Sequence, residues 1–598
     1  MKFKEMAVVF EVVDTLSSRT AITHELAGLL GKASAREAQK LSYLFLGSLT
    51  PPYVSSTFAL AQKTLLKIVG RMLNISDEEV MVRMGKVGDV GSLLGTHEWM
   101  PQGDLSVDDV FQALIELEAV HGTGSQEEKS EKLYALLHQL DPLSAKYIIR
   151  IILGTLRLGF SDMTIIDALS VMHVGDKSIR PVLEHAYNVC ADLGLIAYQL
   201  KHGGKEAIEH MAIQVGIPIC PAAAERLESA QAIIEKLGPC VVQPKLDGFR
   251  LQVHIDMTGK EPLIKFFSRN LLDMSEMFPE FVEVCKRLPV KTFIADGEAI
   301  VYDSNTGTFL PFQETVKRKR KHGIQEAMVE LPLQLNLFDL LYLDGKSLLS
   351  SEHHTRRKLL LDVYENYKQQ VIFALPKKST QLSFFDAPVV SDDVVETLQV
   401  VQEISVTTPQ ALEAYFMQEI TAGLEGVVVK KIHAHYQAGK RNFNWIKLKY
   451  QVSTKLQDTI DVVILGYYSG RGKRAQFGIG AFLVGIYNQT HTTFETVAKV
   501  GTGLKDHEWL ELKKICDEHK VGSQPKNVTC AKELFPEVWV DPVVVCEVLA
   551  DEITISPLHT AGKTQDGLGL AFRFPRFIRF RFDKSAFQTT TLSELKKM

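Results

Sequence analysis

The residues with the clearest chemical potential are a lysine and the turn that follows it. In KLDGFR, at 245–250, Lys245 ends the β-branched run VVQPK, and an Asp-Gly pair then turns the chain. That placement would present the amine at the mouth of a pocket. A lysine amine is a nucleophile only when neutral. With an ordinary pKa near 10.4 it is about 99.9% protonated at neutral pH, so roughly three units of depression, about 4 kcal/mol at about 1.36 per unit, must come from its surroundings. Burial and neighbouring cations supply such a shift. Lys430, Lys447 and Lys449 are the candidate cations, and each would also neutralise charge on a phosphate ligand. Read alone, the hexapeptide is equally a hairpin with an incidental lysine.

The elements that must hold this lysine change character along the chain. Residues 1–215 read as helical: apolar residues recur at three- and four-residue spacing, as in KYIIRIILGTLRL, with glycine breaks at 85–91 and 156–160. GIPICPAA, at 216–223, has the prolines and glycine of a linker. From about 240 the period becomes two, in VVQPKLDGFRLQVHI, FIADGEAIVYD and LQLNLFDLLYLDG, with helical stretches between, so 216–450 reads as a mixed α+β domain. Within it, 370–393 is rich in Pro, Ser and Asp and reads as an exposed loop. Short strands with glycine turns over 451–598 predict a small barrel.

Composition narrows the class. At 598 residues and 45% hydrophobic, the chain is long enough for three packed domains. A net charge of −5 excludes a basic nucleic-acid coat, so any grip on phosphate is local. The seven cysteines contain no C-x-x-C pair, which predicts reduced, buried thiols with neither a disulfide framework nor a zinc site. The N-terminus reads as an amphipathic helix and not a signal peptide, and no apolar run of about 18 residues occurs. A soluble, cytoplasmic protein is expected.

After KLDGFR come FSRN (267–270), ADGEAIVYD (295–303), LFDLLYLDG (337–345), EGVVVKK (425–431), WIKLKY (445–450) and RFPRFIRFR (573–581). In this order and spacing the chain resembles the covalent nucleotidyltransferases, specifically the ATP-dependent DNA ligases of the archaeal and eukaryotic replicative type, over nearly its whole length. The resemblance implies an all-α N-terminal DNA-binding domain, an α+β nucleotidyltransferase domain and a C-terminal OB-fold barrel. It implies ATP and Mg²⁺ or Mn²⁺ as cofactors, and nicked duplex DNA as the partner of a monomer.

The same resemblance assigns roles. Lys245 becomes the nucleophile that carries AMP. Arg250 and Arg269 go to the nucleotide and the DNA 5′-phosphate, Glu298 to the ribose and Phe338 to the adenine face. Glu425 ligates the metal, with Asp247 and Glu298 helping, while Lys430, Arg441, Lys447 and Lys449 meet phosphates. Two residues before the lysine the family commonly has Glu, which reads the adenine amino group; here Gln243 can still accept through Oε1 and also donates. Arg573, Arg576, Arg579 and Arg581 belong to a segment expected to move onto ATP, the barrel swinging away afterwards about a pivot near Asp458. Each residue also has a bland reading: Phe338 as core, Glu298 as a turn carboxylate, Lys447 and Lys449 as a solvated strand face, and the arginine segment as a basic strand.

DNA contacts are expected from Gly88, Asp89 and Gly91, from Arg157 and Gly159, and from Lys317, Arg318 and Lys319 in the basic run KRKRK. QLSFF at 381–385 is similar to the short peptide with which bacterial replication and repair proteins dock on the sliding clamp, which would use Gln381, Leu382, Phe384 and Phe385; a loop anchored on its own domain is the alternative. An mRNA-capping guanylyltransferase or RNA ligase shares the KxDG core, but the helical domain and the RFPRFIRFR ending stand against it. An NAD-dependent ligase would need the missing cysteine cluster. A catalytically silent nick-binding scaffold would require the loss of a key residue, and none is lost.

Overall fold

The structure, a computed structural model, describes every residue except 96, 157, 304–307, 311, 319–322, 375–396, 450–458, 471 and 565–566; for 312–313, 372–374, 472, 473 and 475 it describes backbone alone. The chain forms two compact units. The first holds 1–59, 104–125 and 158–450, and the second 60–103, 126–157 and 451–598. No helix among the described residues is long and apolar enough to cross a membrane.

Helices occupy the chain from Phe3–Thr15 to Leu193–Glu209, as the spacing of apolar residues predicts. Their ends are specified locally. Ser34 and Glu37 form a capping box for Ala35–Leu44, and Asp141, followed by proline at the first helical position, caps Pro142–Ile152. In the first unit, Asp192 caps Leu193–Glu209 and accepts the hydroxyls of Tyr43 at 2.8 Å and Tyr53 at 2.7 Å. Segment 216–223 is not the free linker its prolines suggest. Ile219 is fully buried, and the Cys220 backbone donates to Asn188 at 2.8 Å and accepts from Gly439 at 2.9 Å. The prolines serve a fixed, extended path against the sheets.

Those sheets are built from β1 (Ala223–Arg226), β2 (Cys240–Pro244), β3 (Phe249–Asp256), β4 (Leu263–Ser268), β5 (Thr292–Asp303), β6 (Thr308–Phe309), β7 (Leu333–Leu343), β8 (Lys346–Ser347), β9 (Leu398–Val400), β10 (Ile404–Val406), β11 (Gly426–Lys431) and β12 (Arg441–Lys449). One sheet runs β1-β12-β11-β2-β10; the other runs β4-β3-β5-β7-β8, with β6 on β5 and β9 on β7. In the first sheet Val242, Val427, Val429, Ile446 and Leu448 turn to one side and pack on helices Ala230–Leu237 and Pro409–Thr421. In the second, Leu251, Val253, Ala295, Leu335 and Leu337 pack with Leu360, Val363 and Tyr367 of helix His353–Ala374. Each such side chain contributes about 1.5–3 kcal/mol on burial, so both apolar faces are strongly fixed and the intervening residues are forced to the opposite faces. Ile219, Ile294, Leu341, Tyr436 and Trp445 form a smaller core that joins the two sheets.

In the second unit, helix Val90–Gly95 packs on Pro142–Ile152 and is itself packed by Gln62–Leu73 and Asp77–Val87. Its C-terminal part is a curled eight-stranded sheet centred on Ile460–Tyr468, Ala481–Asn488 and Thr493–Val500, with Trp509, Leu512 and Cys516 of helix Asp506–Glu518 in the core. The seven thiols are unpaired and six are buried.

Candidate active site

Strand alternation assembles the site. Register sets Val428 opposite both Gln243 and Lys447, Gly426 opposite Lys449, and Lys430 opposite Trp445. The Lys245 backbone continues the pairing, donating to the Gly426 carbonyl at 2.8 Å. Gln243, Lys245, Lys430, Trp445, Lys447 and Lys449 therefore share the face that the apolar core leaves free. The turn after Lys245 requires glycine: a Cβ on Gly248 would lie 2.3 Å from the Ala299 carbonyl, and the Gly248 N–H donates to Glu298 at 3.1 Å.

Charge around Lys245 is unbalanced toward positive. Glu425 bridges the amines of Lys245 and Lys449. Burial opposes its charge, yet the two lysines hold the carboxyl below its ordinary range. Burial and then the charges of Lys449, Arg441, Lys245 and Arg269 push the Lys447 amine down. Arg441 opens β12, and Arg269 sits in the tight turn after β4, where Leu271 takes a φ of 64°. Among the described residues no carboxylate forms an ion pair with Arg269, Arg441 or Lys447. Burial raises the Glu298 carboxyl to about 7, against the pull of Lys245, Arg250 and the Gly248 N–H, and Asp247 adds to the rise. Glu298, Asp247 and Glu425 are thus hard oxygen donors beside the lysine and could hold a divalent cation. A separate group, Glu352, His354 and His433, has ligand atoms within 4.8 Å of one another, with both rings already on the Glu352 carboxylate.

The other end of the face is aromatic. The Phe338 and Trp445 rings stand edge to face with centroids 6.0 Å apart. Lys430 and Arg250 both lie here. Lys430 is 1% exposed, donates to the Phe338 carbonyl at 2.9 Å and lies 4.5 Å from the Trp445 centroid; burial lowers its amine to about 8. Arg250 donates to the Ala222 carbonyl at 2.6 Å and Asp296 at 2.8 Å, 5.5 Å from the Phe338 ring. Both brace the aromatic pair and neither stands free. Gln243 is buried, with Nε2 donating to Glu403 at 2.7 Å and to the Phe338 carbonyl at 3.4 Å.

Sequence reasoning missed the buried supports of this floor. Arg356 grips Asp339 through Nε at 2.7 Å and Nη2 at 3.1 Å, and His353 Nε2 lies 2.9 Å from Glu403. Tyr436 donates to Asp296 at 2.7 Å and accepts from the Ala222 backbone at 3.0 Å. Asp339 and Asp296, acids inside apolar strands, were the available signal, since a buried acid needs a partner.

The residues expected to contact DNA differ in their surroundings. Arg318 is 2% exposed and turned inward onto Glu280, with a further bond to the Ile324 carbonyl; Lys317 is exposed beside Glu314. Gly91 is buried, and a Cβ there would stand 2.5 Å from the Lys146 carbonyl, so it lies in a close helix–helix contact. Asp89 binds Ser92 and, at 2.9 Å, Arg150, while Gly88 ends helix Asp77–Val87 in the left-handed region. Gly159 is exposed with φ 79°. Arg157, Lys319, Asp458 and QLSFF, with Gln381, Leu382, Phe384 and Phe385, lie outside the described residues. In the C-terminal region each arginine of 573–581 meets an acid: Arg573 with Glu552, Arg576 with Asp551 at 2.7 Å, Arg579 with Glu547, and Arg581 with Asp461 at 3.0 Å.

Comparison with known proteins finds three family models in order along the chain. Residues 2–170 match the DNA ligase N terminus, 221–449 the ATP dependent DNA ligase domain and 475–584 the ATP dependent DNA ligase C terminal region. A probable DNA ligase of Dictyoglomus thermophilum is 43% identical across all of this chain and 97% of its own length. DNA ligase 1 of Methanosarcina acetivorans is 34% identical, covering 100% of this chain and 99% of its own. Among solved structures, one named Pmar-Lig_PreS3 aligns over 96% of this chain and 99% of its own, at 16% identity and a TM-score of 0.51, a likeness of fold.

Proposed function

The chain belongs to the ATP-dependent DNA ligases, and on that premise we propose that Lys245 is the residue through which it carries AMP from ATP to a nicked DNA end. The Lys245 Nζ attacks the α-phosphorus of ATP; an N–P bond forms, the bond to the β-phosphate oxygen breaks, and pyrophosphate leaves. The 5′-phosphate of the nick then takes the AMP and the N–P bond breaks. Finally the 3′-hydroxyl attacks that 5′-phosphate and AMP departs. The observation that carries this reading is the gathering of Lys449, Arg441, Lys245 and Arg269 around Lys447 with Glu425 bridging two of the lysines, a basin matched to a polyphosphate.

Arg269, Arg441, Lys447 and Lys449 hold phosphate oxygens, Phe338 stacks on adenine, Gln243 meets its amino group and Glu298 meets the ribose. Mg²⁺ or Mn²⁺ fits the oxygens of Glu425 and Asp247 with Glu298 beside them; the repulsion that Asp247 adds at Glu298 is what a cation relieves, and the metal supplies charge neutralisation on the triphosphate. Exposed Lys317 and the backbone near Gly88 and Gly159 serve the duplex phosphates, which predicts sequence-independent, salt-sensitive binding. The C-terminal sheet is read as an OB-type barrel whose Arg573, Arg576 and Arg579 exchange their acid partners for ATP. The domains are read as 1–215, 216–450 and 451–598, in a cytoplasmic monomer. QLSFF docks on a sliding clamp, and replacing Phe384 and Phe385 by alanine lowers recovery in a clamp pull-down; equal recovery removes that partner.

The deciding experiment is covalent labelling. Wild type incubated with α-labelled ATP and magnesium retains label through denaturing electrophoresis, whereas Lys245→Ala retains none and seals no nicks. Sealing by the alanine variant ends the proposal.

A further inference from the structure

Gln243 has an amide whose two ends differ by one atom, and its surroundings tell them apart. Nε2 faces two acceptors, Glu403 Oε2 at 2.7 Å and the Phe338 carbonyl at 3.4 Å. Turning the amide over would bring Oε1 against both oxygens. Glu403 is kept ionised: burial opposes its charge, but the hydrogen bond and charge of His353, with Lys430 and Arg357, hold it below its ordinary range. An ionised carboxylate only accepts, so it admits only the NH₂ end. Glu403 is also fixed in place. His353, 1% exposed, reaches the same oxygen at 2.9 Å, and its other nitrogen faces Asp339 at 3.8 Å, which Arg356 grips. Oε1 has no hydrogen-bond donor among the described residues and points away from those two acceptors.

Adenine and guanine differ at ring position 6, where one offers an amino donor and the other an oxo acceptor. We propose that Glu403 is a specificity-determining positioning residue: by holding the amino end of Gln243 it turns Oε1 toward the 6-amino group of adenine and denies a donor to the 6-oxo group of guanine. This rests on the reading above that the base lies against Phe338 beside Gln243. It also gives a reason for glutamine at 243 in this chain, because a glutamate there would oppose the Glu403 carboxylate. Gln243 and Glu403 act as a matched pair.

The pair predicts a reciprocal rescue. Lysyl-nucleotide formation would be measured with α-labelled ATP and GTP in wild type, Glu403→Ala, Gln243→Glu and the double variant. Freeing the amide in Glu403→Ala lowers the ATP-to-GTP ratio of kcat/KM about tenfold, mainly through KM for ATP. Gln243→Glu alone weakens ATP through the facing carboxylates. The double variant returns to within about threefold of wild type, because glutamate accepts with either oxygen. Mere structural damage would add in the double variant instead. Glu403→Gln, which keeps the volume, moves the ratio the same way and carries the test if the alanine variant does not fold. An unchanged ratio in the single variant that folds, or a double variant no better than Glu403→Ala, overturns the pairing while normal ATP labelling of wild type leaves Lys245 in its role. Absence of label on wild type overturns the Lys245 reading instead.

Discussion

Two basic regions of this chain have opposite electrostatic characters. Around Lys447, burial and then the charges of four neighbouring cations lower its amine, and Glu425 is the acid that pairs with Lys245 and Lys449 among the described residues. Along 573–581 every arginine already has a carboxylate, three of them on exposed strand edges. Repulsion among cations is held in place only by the rigid sheet beneath it, so the first region is prepared for an anion. The second is neutralised at rest and must surrender partners before it can serve a ligand. Basic residues in a sequence are therefore not equivalent; their availability depends on which acids the fold returns to them.

The comparison can be broken most easily at Lys447. Lys447→Met should lower lysyl-AMP formation by about 100- to 1000-fold, the scale of losing one preorganised charge stabiliser, while thermal unfolding stays close to wild type. A loss under about threefold would mean that the basin is not where phosphate sits. Next in size, Asp461 ties both Arg581 and Lys584, so Asp461→Ala should destabilise the C-terminal sheet by about 1–3 kcal/mol in chemical denaturation. Arg579→Ala or Arg576→Ala should cost under about 1 kcal/mol, as exposed ion pairs do. Any large fall in adenylation by those variants then reports work on the nucleotide and not unfolding.

A separate effect lies in pH dependence. Burial raises Glu298 to about 7 from an ordinary value of 4.5, so between those limits the folded chain binds the proton that the unfolded chain has released. Its contribution is therefore present below about 4.5 and is lost as pH rises through about 7. Denaturation curves of Glu298→Gln should lack that decline; parallel curves for variant and wild type would place Glu298 in an ordinary environment.

Much of this was legible in the sequence. The period-two runs set Lys245, Lys447 and Lys449 on one face because the alternate valines, isoleucine and leucine had to be buried, and three- and four-residue apolar spacing marked the helical N-terminal region. What failed was direction in segments without a period. The charge run at 317–321 could not disclose that Arg318 turns in to meet Glu280, 38 residues earlier. Gly91 looked like a loop glycine because the helix against it begins 51 residues later, at Pro142. The prolines of 216–223 suggested slack, although Ile219 is core. Glu403 and His353 escaped notice for the same reason: their meaning arises only where distant strands and a helix converge on Gln243.

The indole of Trp445 also makes the pocket optically readable. Its ring lies 4.5 Å from the Lys430 amine and 5.6 Å from the Arg250 guanidinium, so its excited state is polarised by two fixed charges. A nucleotide bound against Phe338 as proposed would alter that field, and intrinsic emission should shift on titration with ATP. Trp509 and Trp539, packed in the C-terminal sheet, provide an internal reference. Replacing Trp99, Trp509 and Trp539 with phenylalanine would leave Trp445 as the single indole, a dye-free reporter of occupancy.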